Sequence, residues 1–104
     1  MYHVLKRDGK VVEFNLEKIS EATGSIPLVL HGGSGLSDED FRNTIQNGIR
    51  KVNICTEMCI AGLKAFNAAF ERDTGFELAT MVAKATVQEV VKGKMRLFGS
   101  SGKA

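Results

Sequence analysis

At 104 residues, with 43% hydrophobic and 25% charged residues, the chain has the length and composition of one small soluble globular domain. Its formal net charge of +2 comes from scattered basic residues and gives no electrostatic reason to expect nucleic acid or a membrane surface as a partner. No apolar run approaches the length of a membrane span, and no signal peptide is visible, so we expect a cytoplasmic protein.

The first predicted element is a β-hairpin. Two β-prone runs within residues 2–14 flank Asp8-Gly9, a dipeptide that favours a tight turn. Asn15 then predicts the N-cap of a helix. This combination resembles the start of an ATP-cone, the nucleotide-sensing module that precedes ribonucleotide reductases. The resemblance covers only the hairpin and one helix of that module.

The next element is an apolar run that ends at a histidine and continues into a glycine-rich loop. Residues 26–30 predict a strand buried on both faces, with His31 at its carboxyl end. Three glycines within residues 32–35 let the backbone turn its N–H groups towards an anion, and the Ser34 hydroxyl adds a donor. The order of strand, histidine, glycine loop and helix is typical of α/β enzymes that bind a metal and a phosphate.

A helix and a second strand follow. Ser37 predicts the N-cap of this helix, and residues 38–40 supply an acidic first turn. Its apolar face carries Phe41, Ile45, Gly48 and Ile49. Residues 51–56 form a second β-prone run, so the three elements predict one βαβ unit with parallel strands. Two successive strand ends with phosphate donors are typical of the site after strands 7 and 8 of a (β/α)₈ barrel.

Three segments carry a specific family resemblance. They are PLVLHGGSGL at residues 27–36, KVNICTE at residues 51–57, and the carboxyl-terminal sequence of residues 89–104. Together they resemble the zinc-dependent class II ketose-bisphosphate aldolases, over about the last third of a family member. The resemblance implies an α/β fold that comprises the last βα units of a (β/α)₈ TIM barrel, with an N-terminal β-hairpin in front. The barrel is expected to be incomplete, because a complete one needs roughly 250 residues.

The resemblance also implies which residues form the site. His31 corresponds to a histidine that binds Zn²⁺, and the zinc ion acts as a Lewis acid on the substrate's ketone. The residues that correspond to the binding segments for dihydroxyacetone phosphate are Gly32, Gly33, Ser34, Asn53, Ile54, Cys55 and Thr56. His3 stands at the family's spacing before His31 and is a second candidate zinc ligand, although the Gly-x-Tyr-Lys pattern does not follow it. A surface or strand histidine without a ligand role is the alternative for His3.

The implied activity is the reversible cleavage of fructose 1,6- or tagatose 1,6-bisphosphate to dihydroxyacetone phosphate and glyceraldehyde 3-phosphate. The family's catalytic aspartate and a further zinc ligand find no counterpart, since no HxxxxDH-like segment is present. We therefore expect an aldolase fragment that is inactive by itself. A catalytically inactive oligomerising module and a nucleotide-binding, ATP-cone-like module are the alternatives.

The predicted domain boundary lies between residues 22 and 23. Residues 1–22 hold the hairpin and the start of a helix, and they are either ATP-cone-like or a degenerate aldolase strand. Residues 23–104 are the carboxyl-terminal segment of a class II aldolase barrel.

Two amphipathic helices are predicted after the second strand. The apolar stripe of the first consists of Met58, Gly62, Ala65, Phe66, Ala69 and Phe70, and that of the second of Leu78, Met81, Val82, Ala85 and Val90. Gly75 marks the turn between them, and Gly93 is a possible break in the second helix. Such stripes form core or subunit contacts. Because two barrel strands cannot cover so much apolar surface, we expect a homo-oligomer.

Cys55 and Cys59 are the two cysteines of the sequence. Their spacing permits a metal or redox site, but one pair without a second pair or a flanking histidine is a weak zinc signal. Free cysteines are among the most buried residues, so we expect two packed, reduced thiols.

Overall fold

The computed structural model describes residues 2–5, 7–14, 16–33 and 35–103, and for residues 2–5, 12–14, 16 and 20 it describes the backbone alone. This part of the chain is an α/β arrangement of four short strands and four helices. In chain order they are β1 (Tyr2–Leu5), β2 (Val11–Phe14), α1 (Leu16–Thr23), β3 (Leu28–Leu30), α2 (Asp38–Gln46), β4 (Ile49–Val52), α3 (Thr56–Glu71) and α4 (Gly75–Leu97).

The predicted hairpin is confirmed: β1 and β2 pair antiparallel. Leu5 pairs with Val11 at the end of the ladder next to the loop. Gly9 has a φ of 81°, which a residue with a Cβ rarely adopts. The Lys10 N–H donates to Asp8 Oδ1 at 3.1 Å. The Asp-Gly turn chemistry therefore determines where the chain reverses.

The predicted βαβ unit is also confirmed, with β3 and β4 parallel and α2 as the connection between them. At the carboxyl ends Leu30 pairs with Val52. Because parallel strands end at the same edge of a sheet, the residues that follow them, His31 and Asn53, are neighbours.

The expectation that β3 is buried on both faces is wrong. Val29 within the strand is 43% exposed, and Ile26 before it is 65% exposed. Among the described residues, the sheet that contains β3 has two strands, and helix α2 packs against the other strand, β4. The side chains of β3 are therefore left partly open to solvent.

In the second half of the βαβ unit, the boundaries of the helix and of the second strand differ from the prediction. The helix begins as expected, with Ser37 and Asp40 forming a reciprocal capping box, but it ends at Gln46. Gly48 has a φ of 107°, which is outside the helical region, and Ile49 already belongs to β4. The apolar helix face predicted to include Gly48 and Ile49 is thus wrong. Strand β4 also ends before the β-prone run does.

The core lies where α2, β4 and the end of α4 meet. Phe41 of α2 is completely buried, and Ile49 is 4% exposed. The Phe41 ring packs against Phe98, with ring centroids 5.1 Å apart. Burial of a side chain of this size stabilises a fold by about 1.5–3 kcal/mol. Phe41 thereby anchors the helix that follows the glycine loop.

Helices α3 and α4 form a helical hairpin. Lys94 near the end of α4 pairs with Glu57 in the first turn of α3, so the helices run antiparallel. The predicted turn at Gly75 is confirmed, since the residue has a φ of 77° and starts α4. Gly93 does not break α4, which continues to Leu97.

The predicted apolar stripes are only partly buried by this hairpin. Phe70 is 71% exposed and Met81 is 60% exposed, whereas Ala69 and Ala79 are buried between the helices. The radius of gyration of 17.9 Å exceeds the value of about 13 Å expected for a compact chain of this length. The contact between the helices thus combines small side chains with the Phe66–Phe76 ring pair, and several large apolar side chains are left exposed.

Within the described residues, no helix is both long enough and apolar enough to cross a membrane.

Candidate functional site

The carboxyl ends of β3 and β4 bring His31 and Asn53 into contact. The backbone N–H of Asn53 donates to the Leu30 carbonyl at 2.9 Å, which extends the parallel ladder beyond β4. The Asn53 side-chain nitrogen lies 2.9 Å from His31 Nδ1. Asn53 is half-buried and His31 is exposed, so a residue fixed by the ladder holds a histidine at the surface. The two sequence stretches predicted to share a site are joined through these side chains.

The contact with Asn53 couples the protonation of the His31 ring to the orientation of the Asn53 amide. When the amide nitrogen donates to Nδ1, the neutral imidazole carries its proton on Nε2. A metal ion at Nε2 needs the other tautomer, in which Nδ1–H donates to an acceptor. Asn53 can serve both states, because its amide offers the oxygen from the same position after it turns over.

His31 is the predicted zinc ligand whose side chain the structure describes, and the described residues do not complete a zinc site around it. A catalytic zinc ion takes three protein ligands. No group of three His, Cys, Asp or Glu side chains that could hold a metal ion occurs in the part of the chain that the structure describes. The side chain of His3, the second predicted ligand, lies outside that part.

The glycine loop after β3 turns sharply, as predicted. Gly32 and Gly35 have φ values of 64° and 89°, in the left-handed region that favours glycine. Gly33 is buried, and a Cβ on it would lie 2.8 Å from Cε1 of Phe41. The loop backbone therefore lies directly on the Phe41 ring. Ser34, the predicted hydroxyl donor, lies outside the described residues.

The amino end of α3 follows the second strand. Asn53, Ile54 and Cys55 form the connection, and Thr56 is the first helical residue. Cys55 makes no side-chain cap hydrogen bond, so the first N–H groups of α3 receive no side-chain acceptor from their N-cap residue. These N–H groups and the exposed Thr56 hydroxyl are chemically suited to an anion. Ile54 is half-buried and apolar, so only its backbone can contribute polar contacts.

Sequence reasoning missed Lys94, which lies next to the predicted phosphate residues. Its Nζ is 2.9 Å from Oε2 of Glu57 and 5.0 Å from the centroid of the Phe41 ring. Lys94, Gly35 and Thr56 line one open cleft of about 490 Å³. The ammonium group offsets the negative charge of Glu57, which would otherwise repel an anion at the start of α3. Helical periodicity carries no signal that singles out this lysine.

The expectation of two packed cysteines is wrong, since Cys55 and Cys59 are both exposed free thiols. They flank the first turn of α3, at the open end of the helical hairpin. Their sulfur atoms are 3.7 Å apart. The hydrogen bond with Cys55, together with charge on that residue, raises the pKa of Cys59.

Comparison with known proteins places the chain in a family. The family model for class II fructose-bisphosphate aldolase matches residues 3–103. This match includes the segment that also resembles an ATP-cone, and the domain boundary after residue 22 stays a prediction.

Individual relatives agree with the family match. The crystal structure of the YdjI aldolase from Escherichia coli K12 is 40% identical with a TM-score of 0.79, over 86% of this chain and 33% of that chain. The fructose-bisphosphate aldolase of Geobacillus stearothermophilus is 39% identical over 95% of this chain and 35% of its own length. A 6-phospho-5-dehydro-2-deoxy-D-gluconate aldolase from Shouchella clausii is 39% identical over 88% of this chain and 32% of its own length. The chain thus spans about a third of the length of these relatives, and it belongs to the class II fructose-bisphosphate aldolase family.

Proposed function

We propose that this chain supplies the phosphate-binding end of a class II aldolase site, where it holds dihydroxyacetone phosphate. The observation that carries the proposal is the contact of Asn53 with both Leu30 and His31. It joins the two strand ends that the family resemblance assigns to the same substrate.

Each group in the proposed site has a distinct task. The backbone N–H groups of the glycine loop and of the first turn of α3 donate to the phosphate oxygens, as does the Thr56 hydroxyl. The ladder holds the backbone of Asn53, and its side-chain amide orients the His31 ring and reaches the oxygen atoms of the substrate. Lys94 pairs with Glu57 and so offsets one of the two carboxylates, Glu57 and Asp38, that line the cleft.

We assign His31 as one ligand of the zinc ion on which the family depends. The described residues do not supply the remaining ligands, so no catalytic step is derived from this chain alone. In the proposed enzyme, β3, α2 and β4, with the helices that follow, are the last βα units of a (β/α)₈ barrel in the cytoplasm.

The proposed reaction is the reversible cleavage of a ketose 1,6-bisphosphate, either fructose or tagatose bisphosphate. The names of the relatives include one for a bisphosphate aldolase and one for an aldolase of a phosphorylated deoxygluconate. Both names denote aldolases of phosphorylated compounds. A site that holds the phosphate end would serve each of them.

A second copy of the chain is the proposed partner of the exposed apolar face of α3 and α4. Leu63 and Phe70 of α3 and Met81 of α4 are 61%, 71% and 60% exposed. Apolar surface beyond a few hundred Å² is typical of an interface.

The proposal is tested by the affinity of the chain for dihydroxyacetone phosphate. Thr56→Val removes one hydroxyl without changing side-chain size and should weaken binding by about 1.5–3 kcal/mol, the contribution of a hydrogen bond to a charged group. Thr80→Val is the matched control. The Thr80 hydroxyl donates to the Glu77 carbonyl within α4 at 2.7 Å and has no part in the proposed site. Isothermal titration calorimetry should separate the two variants. Equal affinities in the wild type and Thr56→Val would contradict the proposal.

A further inference from the structure

The two cysteines place a pair of thiols side by side at the start of α3. Their sulfur atoms are 3.7 Å apart, and both residues are exposed. The Cys59 N–H donates to the Cys55 carbonyl at 3.1 Å, so the residues are one helical turn apart. Helix geometry puts Cα atoms at this spacing about 6 Å apart, within the range of about 4.4–6.8 Å that disulfides span.

The side chain of Cys55 can rotate towards Cys59. It lies at the N-cap position with φ −141° and ψ −60°, outside the helix, and its side chain makes no cap hydrogen bond. A disulfide needs the sulfur atoms to approach by about 1.7 Å, to the usual S–S length of about 2.05 Å. Rotation of Cys55 can supply this approach without the loss of a side-chain cap.

The chemistry of the pair favours exchange between thiols and disulfides. A thiolate at the amino end of a helix is stabilised by the helix dipole, and the thiolate is the attacking species. The hydrogen bond with Cys55 raises the pKa of Cys59. Cys55, as the N-cap residue, is the thiol that lies at the amino end of α3. A zinc site would need further ligands, and the described residues contain no cluster of three.

We propose that Cys55 and Cys59 are a modification site that a low-molecular-weight disulfide, such as oxidised glutathione, converts to an intrachain disulfide. The Cys55 thiolate attacks one glutathione sulfur, the glutathione S–S bond breaks, and one glutathione thiolate leaves. Cys59 then gives up its proton and attacks the Cys55 sulfur, which releases the second glutathione thiolate. Two protein thiols are oxidised, one oxidised glutathione is reduced to two thiols, and the two protons pass to the released glutathiones.

The disulfide would change the segment proposed to hold phosphate, because Cys55 lies between Asn53 and Thr56 in the chain. A disulfide fixes the Cys55 side chain and so constrains the adjacent backbone that presents the Thr56 N–H and hydroxyl. We expect the oxidised chain to bind dihydroxyacetone phosphate about tenfold more weakly, the loss of about one hydrogen bond to a charged group. This consequence, unlike the disulfide itself, rests on the function proposed above.

The first arm of the test is treatment of the reduced full chain with oxidised glutathione, followed by intact-mass measurement and thiol counting. The wild type should lose both thiols, retain no glutathione and become lighter by two hydrogen atoms. Cys55→Ser and Cys59→Ser should each retain one glutathione as a mixed disulfide. A wild-type chain that keeps bound glutathione, or that forms disulfides only between chains, would overturn the proposal.

The second arm compares the affinity of the reduced and oxidised chains for dihydroxyacetone phosphate. Weaker binding after oxidation, reversed by a thiol reductant, supports regulation of the site. Equal affinities overturn that regulation. If the reduced chain binds no dihydroxyacetone phosphate, the proposed function and its regulation both fail, whereas the disulfide result of the first arm stands by itself.

Discussion

Two glycines inside helices, Gly62 in α3 and Gly93 in α4, provide a matched test of the helical packing. A Cβ on residue 62 would lie 2.9 Å from Cγ2 of Val87, well inside the roughly 3.5–4.0 Å of an ordinary carbon contact. A Cβ on residue 93 would meet nothing within 4 Å. Both positions are helical, so the two substitutions to alanine gain the same helix propensity and differ in the clash alone.

The two substitutions are expected to act differently on the free energy of unfolding. Replacement of glycine by alanine in a helix stabilises it by about 1 kcal/mol, so Gly93→Ala should raise the free energy of unfolding by that amount. At Gly62 the same gain is opposed by overpacking, which costs about 1–3 kcal/mol. Gly62→Ala should therefore lower the free energy of unfolding by about 0–2 kcal/mol.

Urea unfolding followed by far-ultraviolet circular dichroism measures both variants under the same conditions. Val87→Ala removes the methyl group that the new Cβ meets, so Gly62→Ala should stabilise the chain when it is made in that background. If Gly62→Ala and Gly93→Ala stabilise the wild-type chain equally, the close contact between α3 and α4 at this point is refuted.

Three further predictions concern activity, association and pH. The chain of 104 residues by itself should show no turnover of fructose 1,6-bisphosphate in a coupled assay, since the described residues contain no group of three side chains that could hold the zinc ion; turnover abolished both by a chelator and by His31→Ala would contradict this. Met81→Glu should shift the chain towards monomer in sedimentation velocity, because Met81 is 60% exposed on the proposed interface. Asn43→Glu, at an exposed position of α2, should leave the association unchanged. Equal shifts in the two variants would argue against the interface. Glu89→Gln should remove a small stabilisation at neutral pH, because the hydrogen bond and charge of Lys92 lower the pKa of Glu89. A lowered carboxyl pKa stabilises the fold above the ordinary pKa, and this contribution is lost as the pH falls through the lowered value. The unfolding midpoints of wild type and variant should accordingly converge in acid, and a constant difference would refute the pairing.

The features that the sequence predicts well are those that local chemistry determines. The turn at Gly9 and the N-cap at Ser37 depend on residues close together in the chain, and both occur in the structure. The end of α2 was predicted wrongly because the apolar spacing continues through Gly48 and Ile49. A positive φ at Gly48 interrupts the helix, and spacing alone does not reveal it.

Burial was predicted less well, because it depends on which elements cover a residue. Val29 and Cys55 have side chains that are usually buried, yet the described strands and helices leave both exposed. Lys94 was missed for a related reason: its partners Glu57 and Phe41 are distant in sequence and meet it only after α4 packs.

For the candidate site, the sequence put His31 at a strand end and Asn53 within the next β-prone run, and the structure brings the two side chains into contact. Their proposed roles in binding zinc and substrate stay predictions. So does the role of Ser34, which lies outside the described residues.

The most direct test of the central claim is residue-by-residue mapping of amide chemical shifts during a titration with dihydroxyacetone phosphate. Dihydroxyacetone, which lacks the phosphate, is the matched control ligand. We predict that dihydroxyacetone phosphate shifts the amides of Gly33, Asn53 and Thr56 together at millimolar concentration, and that the control leaves Gly33 and Thr56 unchanged. Unchanged amides at these three positions, or equal shifts with both ligands, would contradict the claim that this chain holds the phosphate of an aldolase substrate.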